Sequence, residues 1–212
     1  MNRLLRFIWY RVIVRLVVLL ALGVNLRHRE RLPGDGPAII VANHNSHLDT
    51  MVLMNLLPAR LLPRVQPVAA ADYFLKNRLL AWFALNIIGI LPLSRRPKKG
   101  EDLFAGIDRA LKENRILIIF PEGSRGEPER LAHCKQGVAR IKEAHPEVPV
   151  IPVYLHGLGK ALPKGEALLV PFFCDVFVGE AVAWTGERRS YTAAVEEALK
   201  ALEEEGAFLE WE

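Results

Sequence analysis

A histidine and an aspartate, His44 and Asp49, lie five positions apart just after a short apolar run, Ala38 to Val41. If the histidine lies in the loop after this predicted strand and the aspartate at the start of the next helix, the two side chains can meet. The carboxylate then accepts the imidazole Nδ1 proton and leaves Nε2 free to take a proton from a hydroxyl group. The pair lacks a protein nucleophile, so we expect the attacking group to be an alcohol of the substrate.

A second group of polar residues, Glu122, Gly123, Ser124 and Arg125, follows another apolar run, Ile116 to Phe120. The glycine permits close approach of the backbone to a ligand. The planar guanidinium of the arginine can bind a phosphate through two hydrogen bonds. The glutamate can accept a hydrogen bond from a hydroxyl or hold the arginine in place. By itself this group is also compatible with an ordinary turn.

These two groups need a scaffold, and the rest of the chain predicts one. Short apolar runs alternate with helical stretches, a pattern that favours a single α/β domain with a largely parallel central sheet flanked by helices. Functional loops then lie at strand ends. The predicted strands are 38–41, 68–70, 90–93, 116–120, 150–155 and 175–178. The predicted helices are 49–57, 72–87, 102–112, 136–143 and 191–205.

The first 34 residues differ from the remainder in charge. They contain seven arginines and one acid, a net charge of +6, whereas the remainder of the chain carries −2. The apolar stretch here is too short for a bilayer, which takes about 20 residues to cross. On a helical wheel the first four arginines lie on one half, and Leu5, Trp9, Val12 and Leu16 lie opposite. This pattern predicts a basic amphipathic helix in a membrane interface, residues 1–34, before an α/β domain of residues 35–212. The alternative is a helix packed on the protein's own core.

Composition narrows the classes of protein further. The chain has 212 residues, of which 51% are hydrophobic and 25% charged, so it can bury a core without disulfides or a structural metal. Two cysteines, Cys134 and Cys174, cannot form a disulfide framework, which favours a reducing compartment. A nucleic-acid-binding protein would spread positive charge over a folded face, and here it is confined to the N-terminus. We therefore expect no nucleic-acid partner.

Taken together, Asn43-His44-x-x-x-x-Asp49 and Phe120-Pro121-Glu122-Gly123-Ser124-Arg125 resemble the glycerolipid acyltransferases, a family that includes the PlsC-type 1-acylglycerol-3-phosphate acyltransferases. Two further blocks match in order. Gly89 to Arg95 resembles the acceptor-binding arginine block, and Val148 to Val153 resembles the late proline-containing strand. Lys135-x-Gly137 also resembles a short segment that follows the glutamate block. The similarity covers roughly residues 37 to 157.

The resemblance implies transfer of an acyl group from a thioester of coenzyme A or acyl carrier protein to the free hydroxyl of a lysophospholipid. His44 would be the general base and Asp49 its partner, without an acyl-enzyme. The acceptor's phosphate would be held by four family positions, Arg95, Glu122, Gly123 and Arg125. Ser124 stands where the family often has threonine and keeps the hydroxyl. The resemblance requires no metal or cofactor. The arginine blocks favour 1-acyl-sn-glycerol-3-phosphate as acceptor, although lysophosphatidylglycerol or another lysolipid would use similar groups. Because these substrates lie among membrane phospholipids, the N-terminal helix predicts a monotopic enzyme on the cytoplasmic face of the cell membrane.

Several alternatives stay open from the sequence. His44, His47 and Asp49 could belong to a metal-dependent hydrolase, although two or three further ligands would be needed. A non-catalytic lipid-binding protein could keep the same fold. Arg96 could replace Arg95 at the phosphate. The apolar segment 79–90 could line an acyl-chain tunnel or could be ordinary core.

Overall fold

A seven-stranded sheet forms the centre of this computed structural model, which describes residues 2–94, 100, 102–126, 131–161 and 172–208. Its order is β1-β7-β6-β2-β5-β3-β4, and every neighbouring pair is parallel except β6 with β7. The strands are β1 (Leu22–Arg27), β2 (Ala38–Ala42), β3 (Val65–Ala70), β4 (Leu91–Leu93), β5 (Ile116–Ile119), β6 (Val150–His156) and β7 (Phe172–Val178). The predicted α/β class with a largely parallel sheet is confirmed.

Helices cover both faces of the sheet. They are α1 (Arg3–Ile8), α2 (Arg15–Ala21), α3 (Leu48–Leu56), α4 (Ala71–Phe74), α5 (Arg78–Phe83), α6 (Ala105–Lys112), α7 (Gly137–Ala144), α8 (Leu158–Ala161) and α9 (Arg188–Glu205). Two π-helical segments, Trp9–Val14 and Ala84–Ile88, follow α1 and α5 directly. The predicted single helix 72–87 is therefore wrong in detail. It divides near Asn77, whose side chain accepts a hydrogen bond from the N–H of Leu79 and starts α5.

The core consists of two apolar layers separated by the sheet. Every residue of β2 is buried. Successive side chains of a strand point to opposite faces, so β2 contributes to both layers. Ile40 belongs to the layer that contains α3, whereas Ile39 and Val41 belong to the layer that contains α6, α7 and α9. The carboxyl ends of β6, β2, β5, β3 and β4 all lie at one edge of the sheet. Loops that leave these strands can therefore form a common site.

The N-terminal helix, residues 3–21, packs on the first of these layers through Tyr10, Val14 and Val18. The prediction that its arginines share one face toward lipid phosphates is wrong for two of them. Arg6 is buried and donates to the carbonyl of Val65, and Arg11 donates to the carbonyl of Leu57.

Two features explain this difference in the N-terminal helix. A helical wheel assumes about 100° per residue, and the π-helical segment Trp9–Val14 breaks that period between the arginines. The inward arginines also donate to carbonyl groups of distant residues, and a helical wheel does not include such contacts. Among the described residues, no helix combines the length and apolar composition needed to cross a bilayer.

Strand β1 lies within the first 34 residues, where the sequence predicted only a helix. It pairs with β7 in parallel, from Leu22 with Phe172 to Arg27 with Phe177. Gly23 and Asn25 disfavour helix in this stretch, and the pairing partner lies about 150 residues away along the chain. The predicted boundary between residues 34 and 35 stays a prediction, although β1 contributes to the same sheet as the rest of the chain.

Candidate active site

His44 and Asp49 meet at the carboxyl end of β2, as their spacing predicted. The imidazole Nδ1 lies 2.8 Å from Oδ2 of Asp49, which belongs to the first turn of α3 and is fully buried. The same oxygen accepts the main-chain N–H groups of Asn45 and Ser46 at 2.7 and 2.9 Å. An oxygen that already accepts two N–H groups acts as an acceptor, so Nδ1 of His44 is the donor. The free lone pair of the imidazole is then on Nε2.

The electrostatics of Asp49 reflect its burial. Removal from water raises the pKa of this carboxyl group, and the hydrogen bonds from His44, Ser46 and Asn45 lower it. A carboxylate in this position stabilises the imidazolium that forms when Nε2 takes a proton. It also fixes the ring in one orientation.

Phe120, the residue after β5, packs against one face of the His44 imidazole. Its ring stacks on that of His44 with 4.0 Å between the centroids and an angle of 20° between the planes. The His44 side chain keeps 19% of its surface exposed. No hydrogen bond links Nε2 to another residue in the part of the chain that the structure describes. The ring is thus held from two sides and still accessible to a substrate.

Glu122 joins the second predicted group of residues directly to the first. Its Oε1 accepts the main-chain N–H of His44 at 2.9 Å, and the main-chain N–H of Gly126 donates to the carbonyl of His44 at 3.0 Å. Burial, together with the nearby Asp49 carboxylate, raises the pKa of Glu122 to about 7, although the hydrogen bond from His44 lowers it. The two loops therefore form one unit around His44.

The remaining residues of this loop form its outer part. Gly123 has a φ of +76°, a left-handed conformation that glycine adopts without strain. Ser124 is exposed and Arg125 is half-buried. Arg125 lies close enough to His47 to lower the pKa of that imidazole, after the larger effect of burial. The guanidinium is thus at the mouth of the site, on the same side as the loop that carries His44.

Arg95 and Arg96 lie outside the described residues, just after Ser94. Strand β4, which precedes them, runs parallel to β3, and β3 runs parallel to β5. The chain therefore leaves β4 at the same edge of the sheet as it leaves β2 and β5. The assignment of Arg95 to the acceptor's phosphate stays a prediction.

Asn43 is a site residue whose role the sequence did not reveal. Its buried side-chain amide donates to the carbonyl of Leu155 at 2.8 Å and accepts the N–H of the same residue at 2.7 Å. These two bonds continue the pairing of β2 with β6 by one residue through a side chain. They fix the backbone immediately before His44. The position of an asparagine just after a buried strand was the only signal for this role.

The metal-binding alternative can be compared with the available donor groups. Nδ1 of His44 is already bonded to Asp49. Within the described ranges, no three His, Cys, Asp or Glu side chains are grouped so that they could hold a metal ion.

Cys134 is half-buried, and burial, followed by the effects of Glu196 and Glu122, raises the pKa of its thiol to about 12. A thiol of this kind is a poor nucleophile.

Comparison with known proteins decides the family. A family model described as Acyltransferase matches residues 23–156 of the chain. The chain belongs to the acyltransferase family. The match includes every described loop of the acyltransferase site, and it confirms the resemblance that the sequence motifs predicted.

Individual relatives of this acyltransferase agree with the family model. It is 31% identical over 145 residues to the chloroplastic 1-acyl-sn-glycerol-3-phosphate acyltransferase LPAT1 of Arabidopsis thaliana, covering 68% of this chain and 38% of the relative. It is 30% identical over 139 residues to the 1-acyl-sn-glycerol-3-phosphate acyltransferase of Saccharomyces cerevisiae, covering 64% of this chain and 44% of the relative. The chain thus spans about two fifths of the length of these relatives.

A solved structure supports the fold of the acyltransferase. The crystal structure of the 1-acyl-sn-glycerophosphate acyltransferase PlsC from Thermotoga maritima superposes with a TM-score of 0.77. The superposition covers 97% of this chain and 81% of that one, at 21% sequence identity. At this identity the likeness establishes a common fold.

Proposed function

We propose that this acyltransferase moves a fatty acyl group from a thioester of coenzyme A or acyl carrier protein to the free hydroxyl of a lysophospholipid. Our proposed acceptor is 1-acyl-sn-glycerol-3-phosphate, and the product is then phosphatidic acid. One observation carries the proposal, namely the hydrogen bond that joins the loop of His44 to Glu122. This bond joins the loop of the proposed general base to the loop of the proposed anion site, at the edge where β2 and β5 both end.

The chemistry follows from the oriented imidazole. Nε2 of His44 takes the proton of the acceptor hydroxyl as its oxygen attacks the thioester carbonyl. The resulting tetrahedral oxyanion collapses, the C–S bond breaks, and the departing thiolate takes the proton from the imidazolium. Asp49 stabilises the imidazolium between these two steps. A thioester is already activated, so holding the alcohol close to the carbonyl and to His44 supplies much of the remaining rate enhancement.

The acceptor's phosphate is assigned to the loop that follows β5. The guanidinium of Arg125 can bind two phosphate oxygens at once. Gly123, with its positive φ, lets the backbone turn tightly between Glu122 and Arg125. Arg95, which follows β4 in the sequence, is our second arginine for the same anion. No metal or cofactor takes part in the proposed steps.

A lipid acceptor requires access from a membrane, and the surface of the protein offers a region for this contact. We define the apolar surface as the outward residues of the N-terminal helix, of α5 and of the π-helical segment that follows α5. They are Leu4, Leu5, Phe7, Ile8, Val12, Ile13, Leu16, Leu20, Leu79, Leu80, Trp82 and Leu85. Leu20 and Leu79 are 82% and 80% exposed, values unusual for leucine on a water-facing surface. The two helices meet where the rings of Trp9 and Phe83 pack edge to face at 5.0 Å.

We propose that the apolar surface lies in the interface of a membrane, with the chain monotopic on the cytoplasmic face. Exposed cationic side chains accompany it, namely Arg3, Arg15, Lys76 and Arg78, and these suit anionic lipid headgroups. A contiguous apolar patch of this kind marks a site of protein or membrane contact. The free thiols of Cys134 and Cys174 suit the reducing cytoplasmic side. Segment 79–90 contributes to both the apolar surface and the core. Leu79 and Trp82 face outward, whereas Ala84, Ile87 and Ile90 are buried in the core.

Mass spectrometry of products tests the proposed reaction. The purified protein would be incubated with palmitoyl-coenzyme A or palmitoyl-acyl carrier protein and a panel of lysophospholipids. We expect phosphatidic acid from lysophosphatidic acid. Release of free fatty acid alone would indicate a hydrolase, and lipid binding without turnover would indicate a non-catalytic protein. A chelator should leave the transfer unchanged, because no step uses a metal.

A further inference from the structure

We propose that Lys135 supplies a further positive charge to the acceptor site and selects a doubly ionised phosphate monoester over a phosphodiester. This inference rests on the proposed function, since it names the substrate class of the same site. It concerns a residue that lies ten positions after Arg125 in the sequence, beyond residues 127–130, which the structure does not describe.

The geometry of Gly123 places the lysine at the site. A Cβ atom added to Gly123 would lie 2.6 Å from Nζ of Lys135 and 3.2 and 3.3 Å from its Cδ and Cε. The lysine side chain therefore extends across the α-carbon of Gly123, and its ammonium group lies at the turn between Glu122 and Ser124. Only a residue without a side chain at position 123 leaves this space to the lysine.

The backbone of Lys135 is fixed to the same turn. Its main-chain N–H donates to the carbonyl of Pro121 at 2.9 Å. The turn itself is closed by a hydrogen bond from the N–H of Gly123 to the carbonyl of Phe120 at 3.1 Å. The hydrogen bond of the main chain thus fixes the start of the Lys135 side chain beside the loop of Arg125.

The charge of Lys135 is not neutralised within the described residues. Its ammonium group forms no ion pair or hydrogen bond there, and the side chain is exposed. Some other cationic side chains of the chain do have acidic partners. Lys200 pairs with Glu196 at 3.2 Å, and Arg31 pairs with Glu180 at 2.8 Å. An unpaired cation at the mouth of an anion site is available to a ligand.

The two cations at this loop suit different parts of one anion. The arginine fork binds two oxygens of a phosphate, and the lysine contributes a compact point charge. A phosphate monoester carries close to two negative charges at neutral pH, because its second pKa is about 6. A phosphodiester headgroup carries only one negative charge, and a second oxygen of its phosphate carries a bulky substituent. The lysine therefore favours the monoester and gains little from the diester.

A comparison of two acceptors measures this selectivity. KM would be determined for lysophosphatidic acid and for lysophosphatidylglycerol in the wild type and in Lys135→Met, which keeps the length of the side chain and removes its charge. We expect KM for lysophosphatidic acid to rise about 10-fold or more, the effect of losing one charge-assisted contact, while KM for lysophosphatidylglycerol changes by less than about 3-fold. Lys135→Arg, which keeps the charge, should restore most of the selectivity.

Lys112→Met is the matched control, because Lys112 is exposed at the end of α6. It should change neither KM. Gly123→Ala provides a second arm, because its Cβ would occupy the space of the ammonium group. If that displacement matters, Gly123→Ala should raise KM less in the Lys135→Met background than in the wild type.

The outcomes separate this inference from the proposed function. If the wild type makes phosphatidic acid and Lys135→Met leaves the ratio of the two KM values unchanged, the inference is wrong and the proposed function stands. An equal rise in both KM values would mean that the lysine only supports the loop, and this too would overturn the inference. If the wild type acylates neither acceptor, both proposals fail together.

Discussion

The main-chain N–H of His44 donates a hydrogen bond to the carboxylate of Glu122 at 2.9 Å. The two residues are 78 positions apart, and each follows a different strand of the sheet. The bond makes the loop of the general base and the loop of Arg125 one unit. A change at Glu122 should therefore affect catalysis through the position of His44, as well as any contact with the acceptor.

Glu122 also predicts how stability depends on pH. Burial, with a contribution from Asp49, raises its pKa from 4.5 to about 7 in the folded protein. The folded state then binds the proton more tightly than the unfolded chain, so the free energy of unfolding falls as pH rises between these two values and levels off above about pH 7.

Glu122→Gln removes this ionisation and keeps an oxygen that can accept the N–H of His44. Relative to the wild type, its free energy of unfolding should increase from about pH 5 to about pH 7 and then stay constant. Urea denaturation across this range checks the expectation. Asp49 is present in both proteins, so its own titration largely cancels. A difference that does not change with pH would contradict the account of Glu122.

Asn43 should be important for stability because it satisfies two buried main-chain groups of Leu155. Asn43→Ala leaves both groups without a partner, and each costs roughly 1–3 kcal/mol. We expect the free energy of unfolding to fall by about 2–4 kcal/mol in denaturant titrations. Asn25→Ala is the control, since the amide of Asn25 pairs with Asp175 on the exposed surface. A similar small loss for both variants would argue against the role of Asn43.

Arg125 should affect binding of the acceptor more than the chemical step. Arg125→Ala removes the proposed contact with the phosphate, and KM for lysophosphatidic acid should rise by about 10-fold or more with a smaller change in kcat. Arg109→Ala, on α6, changes the same charge away from the loop and should leave KM unaltered. An unchanged KM in Arg125→Ala would mean that the phosphate binds elsewhere.

The membrane contact is best tested by substitutions on the apolar surface. Deleting the N-terminal helix would also remove Tyr10, Val14 and Val18 from the core, so loss of binding after deletion would be ambiguous. Leu79→Glu combined with Trp82→Glu changes only outward side chains of α5.

This double variant should bind vesicles that contain anionic lipid at least about 10-fold more weakly, because charges replace two exposed apolar side chains that would enter the membrane interface. Flotation with vesicles measures the change. Ala201→Glu, an exposed position on α9, adds a charge away from the apolar surface and should bind as the wild type does. Vesicle binding by the double variant that equals the control would contradict the proposed contact.

The sequence predicted those parts of the molecule whose signals are local. Ile116 to Ile119 is an uninterrupted apolar run, and it forms a strand buried on both faces. His44, Asp49, Glu122 and Arg125 follow such strands, so their common location could be expected from parallel topology alone. Family motifs then suggested their roles.

The features that the sequence did not predict depend on distant contacts. Strand β1 forms against β7, and its own residues include Gly23 and Asn25, which are poor strand formers. Asn43 finds its partner 112 positions away, in Leu155. The inward position of Arg6 depends on its bond to the carbonyl of Val65, 59 positions away.

The central claim is that Nε2 of His44 removes the proton from the acceptor hydroxyl. The most direct test is the rate of phosphatidic acid formation by His44→Ala at saturating substrates, with circular dichroism to confirm the fold. His47→Ala is the matched control, because it removes the exposed imidazole of the same loop and should leave the rate within about 3-fold of the wild type. We predict that His44→Ala loses about a thousandfold in rate. A folded His44→Ala protein that keeps more than about a tenth of the wild-type rate would contradict the claim.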